Sequence, residues 1–216
     1  NKFMNYSQAL KEIHFPKDIS SANTAKERLA FDELFLLQLA ANKRRATWKT
    51  KKIANSFKVE EFQKEIDNLI TSLPFILTSS QLQAIAEIKN NISSKTPMNR
   101  LLQGDVGSGK TIVAAITMYI TQLNGFQSVL MAPTEIPATQ HFKTINNFLS
   151  KFGVKTSLVT GSNKLKDEDF NILVGTHAVL SDKINFSNLG FIAIDEQQRF
   201  GVAQRGTIRK RSENAH

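Results

Sequence analysis

Eight consecutive residues, 104–111, constrain the fold of this chain more than any other feature. They match the pattern G-x-x-x-x-G-K-[ST], which binds phosphate when it lies between a strand and a helix. In such a loop the glycines let backbone amides turn towards a phosphate, the lysine reaches the outer phosphates, and the hydroxyl ligates magnesium. The residues assigned to this site are Gly104, Asp105, Val106, Gly107, Ser108, Gly109, Lys110 and Thr111.

The surroundings of this loop predict an α/β fold. Short apolar runs occur at residues 100–102, 128–131, 154–159, 172–174 and 191–194, and helical patterns occur at 112–123 and 138–149. Such alternation is typical of a parallel sheet that helices cover on both faces. It places the phosphate loop between a strand at 100–102 and a helix that begins near Ile112.

Two carboxylates follow the last apolar run. Residues 191–194 read Phe-Ile-Ala-Ile, and Asp195 and Glu196 come next. Because parallel strands of this kind are buried, we expect Asp195 to emerge at the carboxyl end of its strand, beside the phosphate loop. There Asp195 would hold magnesium, and Glu196 is the candidate base for an attacking water. An aspartate in this position is often only a helix cap or turn residue, but the phosphate loop favours catalysis by Asp195, Glu196 and Lys110.

The residues before the α/β pattern are predicted to be helical. A capping-box pattern at Thr24–Glu27 predicts a helix over residues 24–45, and a second helix carries Val59, Phe62, Ile66 and Leu69. Between them lies a basic stretch, predicted as a loop, which is either a solvated face or a contact for a DNA backbone. Its members are Lys43, Arg44, Arg45, Lys49, Lys51 and Lys52, with Trp48 among them. We predict a helical segment over residues 1–72 and the α/β domain over 73–216.

Composition narrows the functional classes. The net charge of +9 and the pI near 9.8 favour a polyanionic partner, with nucleic acid first, although a basic surface can also serve solubility. Without cysteine, disulfides and thiolate metal sites are excluded. No apolar run suits a membrane span or a signal peptide, so we expect a cytoplasmic protein. Because the chain begins with Asn1, we also expect it to be a piece of a longer protein.

Several motifs together resemble those of superfamily 2 helicases. Asp195-Glu196-Gln197-Gln198 is similar to motif II, and residues 75–81 are similar to the Q-motif, which would assign adenine recognition to Gln81. Residues 131–135, 160–162 and 175–177 resemble motifs Ia, Ib and Ic, which grip the DNA backbone in this family. The resemblance therefore implies DNA contacts by Pro133, Thr134, Thr160, Gly161, Thr176 and His177.

A narrower resemblance is to one bacterial group within this superfamily. It is carried by residues 101–111, 175–178 and 195–202, and upstream by 14–16 and 31–38. It implies a RecA-like P-loop NTPase domain that uses ATP and Mg²⁺ to move on double-stranded DNA, and that remodels stalled forks and Holliday junctions in recombination and repair. Alternatives are the transcription-repair coupling factor, the primosomal helicase, or a nucleic-acid-binding module that is inactive alone. A small-molecule kinase fits the residues after Glu196 less well.

The resemblance also implies partner domains, and this chain departs from the family pattern at one position of motif II. A motor of this family closes a second RecA-like domain over ATP and carries a wedge domain, so we expect both in the same full-length protein and poor hydrolysis by this chain alone. The family usually has His where this chain has Gln198, a position that couples ATP to the DNA loops. Arg199, Arg205, Arg209, Lys210 and Arg211 form a second basic cluster, either a solvated face or a contact for the second domain. His14, His141 and His216 are expected to be surface or packing residues.

Overall fold

The computed structural model describes residues 3–51, 54–165, 169–201, 207 and 215–216. The chain divides into two compact units, Asn1–Lys51 and Lys52–His216. This division lies earlier than the predicted boundary at residue 72, because Phe57, Ile66 and Leu69 belong to the hydrophobic core of the second unit. The basic residues Lys52, Arg205, Arg209, Lys210 and Arg211 lie outside the described residues.

The first unit is a pair of helices, α1 (Tyr6–His14) and α2 (Ile19–Lys51). Each helix carries a fully buried alanine, Ala9 or Ala25, and small residues allow close helix packing. Asp18 and Ser21 cap the start of α2: the Ser21 N–H donates to the Asp18 carboxylate at 2.7 Å, and the Asp18 N–H donates to the Ser21 hydroxyl at 3.2 Å. The predicted cap at Thr24 is wrong, since its hydroxyl donates to the Ser20 carbonyl inside the helix.

The basic stretch after residue 43 is helical, so the predicted loop there is wrong. Helix α2 runs on through Lys51. Residues 43–51 contain neither glycine nor proline, and lysine, arginine and alanine have high helix propensity. Within the described ranges, no helix is both long enough and apolar enough to span a membrane.

The second unit contains a four-stranded parallel sheet. Its strands are β1 (Gln127–Met131), β2 (Thr156–Val159), β3 (Ile172–Gly175) and β4 (Leu189–Ile194), in the order β2-β3-β1-β4. Its helices are α3 (Gln63–Thr71), α4 (Ser79–Ile92), α5 (Lys110–Leu123) and α6 (Glu135–Leu149). The predicted α/β class and parallel sheet are confirmed. The sequence Thr78-Ser79-Ser80-Gln81 predicts a capped helix, and a capping box between Thr78 and Gln81 is present at the start of α4.

Alternate residues of each strand pack on opposite faces of the sheet. Leu130 and Val174 join the core formed with helices α3 to α6, where Ile116 and Ile145 are fully buried. Val129 and Leu173 face a second cluster, which among the described residues is covered by the short 3₁₀ helix His177–Leu180 and by loop side chains. The sheet is therefore buried on both sides, as its continuous apolar strands predict.

The apolar run at 100–102 does not form the predicted strand. Leu101 is 82% exposed, and the Arg100 guanidinium donates to the Glu87 carboxylate of α4 at 2.5 Å. The free edge of β4 pairs instead with His216, whose carbonyl accepts from the Ile192 N–H at 2.9 Å and whose N–H donates to the Gly190 carbonyl at 2.8 Å. An apolar run alone does not distinguish a strand from a partly exposed loop. Whether such a run becomes a strand depends also on the segment with which it can pair.

His216 is a packing residue, as expected. Its imidazole contacts the Asn55 carbonyl at 2.7 Å through Nε2, accepts the Met98 N–H at 3.2 Å through Nδ1, and lies edge-on against Phe57. Burial lowers the pKa of His216 below its ordinary value of 6.5. The neutral ring is therefore the form that the fold stabilises.

We expect Gly175→Ala to destabilise the second unit by about 3 kcal/mol. A Cβ at this strand end would collide with the backbone carbonyl oxygen of Val159 and lie 2.6 Å from Val179 Cγ1. The control is Gly153→Ala, where a Cβ meets no atom within 4 Å and only the positive φ of 75° opposes the change, at about 1 kcal/mol. Urea unfolding measures both; a larger loss for Gly153→Ala would contradict the collision.

We expect the stability of the chain to fall as the pH drops below about 6.5, the unperturbed pKa of histidine. In that range the unfolded chain binds a proton at His216 that the folded chain resists, so protonation favours unfolding. Urea unfolding at about pH 7.5 and about pH 5.5, one value above and one below that pKa, measures the loss in the free energy of unfolding. The variant His216→Gln should show a smaller pH-dependent loss, and an equal loss in both proteins would exclude His216 as its source.

Candidate functional site

The predicted site residues meet at one edge of the sheet. Pro133 follows β1, Thr160 follows β2, Thr176 follows β3, and Asp195 follows β4. All four strands are parallel, so their carboxyl ends share an edge. Ligands bind at this edge in open α/β sheets. The fold therefore brings together motifs that are up to 62 residues apart along the chain, from 133 to 195.

The phosphate loop leads directly into helix α5. Gly109 caps the helix with a φ of 81°, and Gly107 has a φ of 82°, so both need the left-handed region that glycine favours. The Lys110 ammonium donates to the carbonyls of Gly104 and Asp105, both at 2.8 Å. The lysine thus lies across its own loop, and the predicted loop residues form one turn at a helix N-terminus.

Gln81 joins helix α4 to this loop. Its side-chain carbonyl accepts the Thr78 N–H at 2.8 Å, and its amide donates to the Ser108 carbonyl at 2.9 Å. A Cβ on Gly109 would overlap the same amide nitrogen, so that a larger residue there would displace the Gln81 side chain from the loop. Adenine recognition by Gln81 stays a prediction; the observed role of this side chain is to support the loop.

His141 bridges the two predicted metal ligands. Its Nδ1 lies 3.2 Å from the Thr111 hydroxyl, and its Nε2 lies 3.0 Å from a carboxylate oxygen of Asp195. The sequence predicts a surface or packing residue at His141 and contains no motif that indicates this role. Helical spacing places it on α6, but only the adjacency of β1 and β4 shows that α6 reaches Asp195.

No group of three or more His, Cys, Asp or Glu side chains that could hold a metal ion occurs in the part of the chain that the structure describes. The predicted ligands Thr111 and Asp195 contribute one hydroxyl and one carboxylate. Two protein ligands are too few for a cation that only protein groups coordinate. A set of two suits a cation that substrate phosphates also coordinate.

Glu196 has an unusual backbone conformation. Its φ of 52° makes it the sole non-glycine residue with positive φ within the described ranges. Its carboxylate accepts the Gln198 amide at 2.5 Å and lies 3.8 Å from Arg199 Nε. Conformations of this kind cost free energy and are concentrated at functional sites. The structure therefore places Gln198, the residue that departs from the family pattern, directly on the candidate base.

Glu135 connects two of the predicted DNA-binding loops. From the first turn of α6 its carboxylate accepts the Ser162 N–H at 3.0 Å and the Ser162 hydroxyl at 2.9 Å. These hydrogen bonds lower the pKa of Glu135, because they stabilise its charged form. The sequence interpretation included Glu135 in motif Ia but assigned it no role.

The predicted DNA-binding residues differ in accessibility. Thr160 is 5% exposed and its hydroxyl accepts the Asn163 N–H at 3.1 Å, while Thr176 is 3% exposed and caps the 3₁₀ helix that follows it. These buried hydroxyls shape their loops. Among the predicted DNA-binding residues, Thr134, Gly161 and His177 are exposed, so a partner can reach them. Pro133 is half-buried.

Comparison with known proteins identifies the family. Residues 78–215 match the DEAD/DEAH box helicase family. Among solved structures, RecG bound to a three-way DNA junction superposes with a TM-score of 0.79 at 39% identity, covering 93% of this chain and 28% of that one. The UvsW helicase of bacteriophage T4 shares the fold, with a TM-score of 0.56 at 17% identity over 76% of this chain and 58% of that one. The predicted RecA-like fold is confirmed.

Curated relatives agree with this assignment. The chain is 43% identical to the ATP-dependent DNA helicase RecG of Aquifex aeolicus over 94% of its length, and 40% identical to that of Bacillus subtilis over 99%. It spans 27% and 32% of those two proteins. The narrower resemblance in the sequence is therefore confirmed as homology to one segment of RecG. The chain belongs to the DEAD/DEAH box helicase family.

Proposed function

We propose that this chain is the ATP-binding motor domain of a DNA helicase that remodels branched DNA. The observation that carries the proposal is the chain of contacts from Thr111 through His141 to Asp195, which joins the phosphate loop to the carboxylates after β4. Phosphoryl transfer needs a phosphate cradle, a metal ligand and a group that orients water, and this edge of the sheet provides residues for all three.

Each residue has a role in nucleotide binding. The amides of residues 104–109 and the Lys110 ammonium hold the phosphates, and Gln81 is the candidate contact for adenine. Thr111 and Asp195 would hold Mg²⁺, since hydroxyl and carboxylate oxygens are the ligands it prefers. When bound, this cation would neutralise charge on the phosphates. Glu196 orients the attacking water, and Gln198 fixes the Glu196 carboxylate by its hydrogen bond.

Nucleotide binding at this loop is an exchange of hydrogen bonds. Lys110 must release the carbonyls of Gly104 and Asp105 to reach a phosphate. A charged phosphate oxygen replaces two neutral carbonyl oxygens, and hydrogen bonds between charged groups are the stronger kind. The loop therefore favours a polyphosphate over its own backbone as the partner of the lysine.

We assign DNA binding to the exposed loops along the same edge. The net charge of +9 favours a polyanion, and Thr134, Gly161 and His177 present polar groups there. The homologous RecG was solved on a three-way DNA junction, which supports branched DNA as the substrate class. A second RecA-like domain and a wedge domain in the full-length protein, and a cytoplasmic location, complete the proposal. A nucleic-acid-binding module without nucleotide affinity is the alternative, and it is favoured only by the charge.

We expect Lys110→Ala to weaken binding of a fluorescent ATP analogue with Mg²⁺ by at least about tenfold, because it removes a charge-assisted hydrogen bond to phosphate. The matched control is Lys143→Ala, which removes an exposed lysine from α6 and the same unit of charge. Fluorescence titration measures both dissociation constants. Unchanged affinity in Lys110→Ala would exclude the nucleotide site, and DNA binding without any nucleotide signal in the wild type would support the module instead.

We expect Thr134→Glu to weaken binding of duplex DNA about fivefold at low salt, because a new negative charge close to a phosphate costs about 1 kcal/mol in water. Thr134 is exposed and makes no side-chain cap to α6, so the change leaves the helix intact. Ser150→Glu is the control, since it adds the same charge just beyond the other end of α6. Fluorescence anisotropy at several salt concentrations gives the affinities; equal losses in both variants would place the DNA elsewhere.

A further inference from the structure

His141 is the least explained polar residue of the site. Its side chain is 18% exposed, and both ring nitrogens have partners, Thr111 on α5 and Asp195 after β4. It therefore joins three elements that are distant in sequence. Neither the phosphate loop pattern nor the motif containing Asp195 includes this position.

The chemistry of the three groups fixes the direction of the hydrogen bond to Asp195, and for a neutral imidazole it also fixes the one to Thr111. An ionised carboxylate only accepts, so the contact at 3.0 Å places a proton on Nε2 of His141, which donates to Asp195. In a neutral imidazole Nδ1 is then an acceptor. In this neutral form the Thr111 hydroxyl donates to Nδ1 across 3.2 Å.

This direction matters for the oxygen of Thr111. A hydroxyl has one proton and two lone pairs, and its oxygen can bind a cation only when the proton points elsewhere. His141 accepts that proton and leaves the lone pairs free. It also occupies one carboxylate oxygen of Asp195, while no residue in the described part of the chain hydrogen-bonds to the other. Partners that hold metal ligands in this way govern metal affinity although they do not touch the metal.

We propose that His141 is a positioning residue of the nucleotide site, which orients Thr111 and Asp195 for the cation that accompanies the nucleotide. This inference rests on the proposed function. It predicts a specific defect. His141→Ala should reduce the contribution of the metal to nucleotide binding, and the contribution of the phosphate loop should stay unchanged. The competing explanation is a purely structural brace between α5, α6 and the end of β4.

Titration of a fluorescent ADP analogue, with Mg²⁺ and with EDTA, tests the proposal. In the wild type Mg²⁺ should tighten binding; in His141→Ala this gain should shrink about tenfold, while the affinity in EDTA stays within about twofold. His141→Gln should recover part of the gain, because an amide can donate to Asp195 and accept from Thr111. Asn147→Ala, an exposed change on the same helix, should match the wild type.

Each outcome decides one point. A structural brace would lower the melting temperature of His141→Ala without nucleotide and weaken binding equally with Mg²⁺ and with EDTA, which would overturn the proposal. An unchanged gain from Mg²⁺ in His141→Ala would also overturn it. If His141→Ala does not fold, His141→Gln decides: a Mg²⁺ gain below that of the wild type with unchanged affinity in EDTA supports the proposal, and a full Mg²⁺ gain with a lowered melting temperature supports the brace. A wild type that binds nucleotide no better with Mg²⁺ refutes the proposed function itself.

Discussion

The parallel pairing of β1 with both β3 and β4 is the constraint on which the site depends. Each pairing aligns carboxyl ends, so that Met131 lies beside Gly175 on one side and beside Ile194 on the other. The loops that follow these strands therefore emerge together. An antiparallel neighbour would send its loop to the opposite edge, and Asp195 would be separated from the phosphate loop.

Helix α6 connects the two sites that we propose at this edge. Glu135 in its first turn holds the loop containing Ser162, and His141 contacts Thr111 and Asp195. The two residues are six positions apart, or about 9 Å along a helix axis. One helix thus contacts both the residues proposed to bind nucleotide and a loop to which we assign DNA binding.

Sequence patterns predicted the parts of the fold that depend on local physics. The phosphate loop, the cap at Thr78 and four of the five strands follow from spacing and apolar runs. The failures at residues 100–102 and at His141 involve contacts that a pattern does not contain, whereas the helix after residue 43 follows from local propensity that the basic pattern obscured. Residues 100–102 form no strand, and His216 is the described residue that hydrogen-bonds to the outer edge of β4. The role of His141 requires the strand order. Burial of Thr160 and Thr176 likewise depends on packing that their motifs do not encode.

The contact of Glu135 with Ser162 has a consequence for how the loop meets a partner. The backbone and hydroxyl donors of Ser162 are already satisfied within the chain. The loop therefore holds its shape before any ligand arrives, and its backbone entropy is lost during folding rather than during association. The DNA binding that we propose at this edge would therefore meet a loop already held in place, which lowers the entropic cost of association.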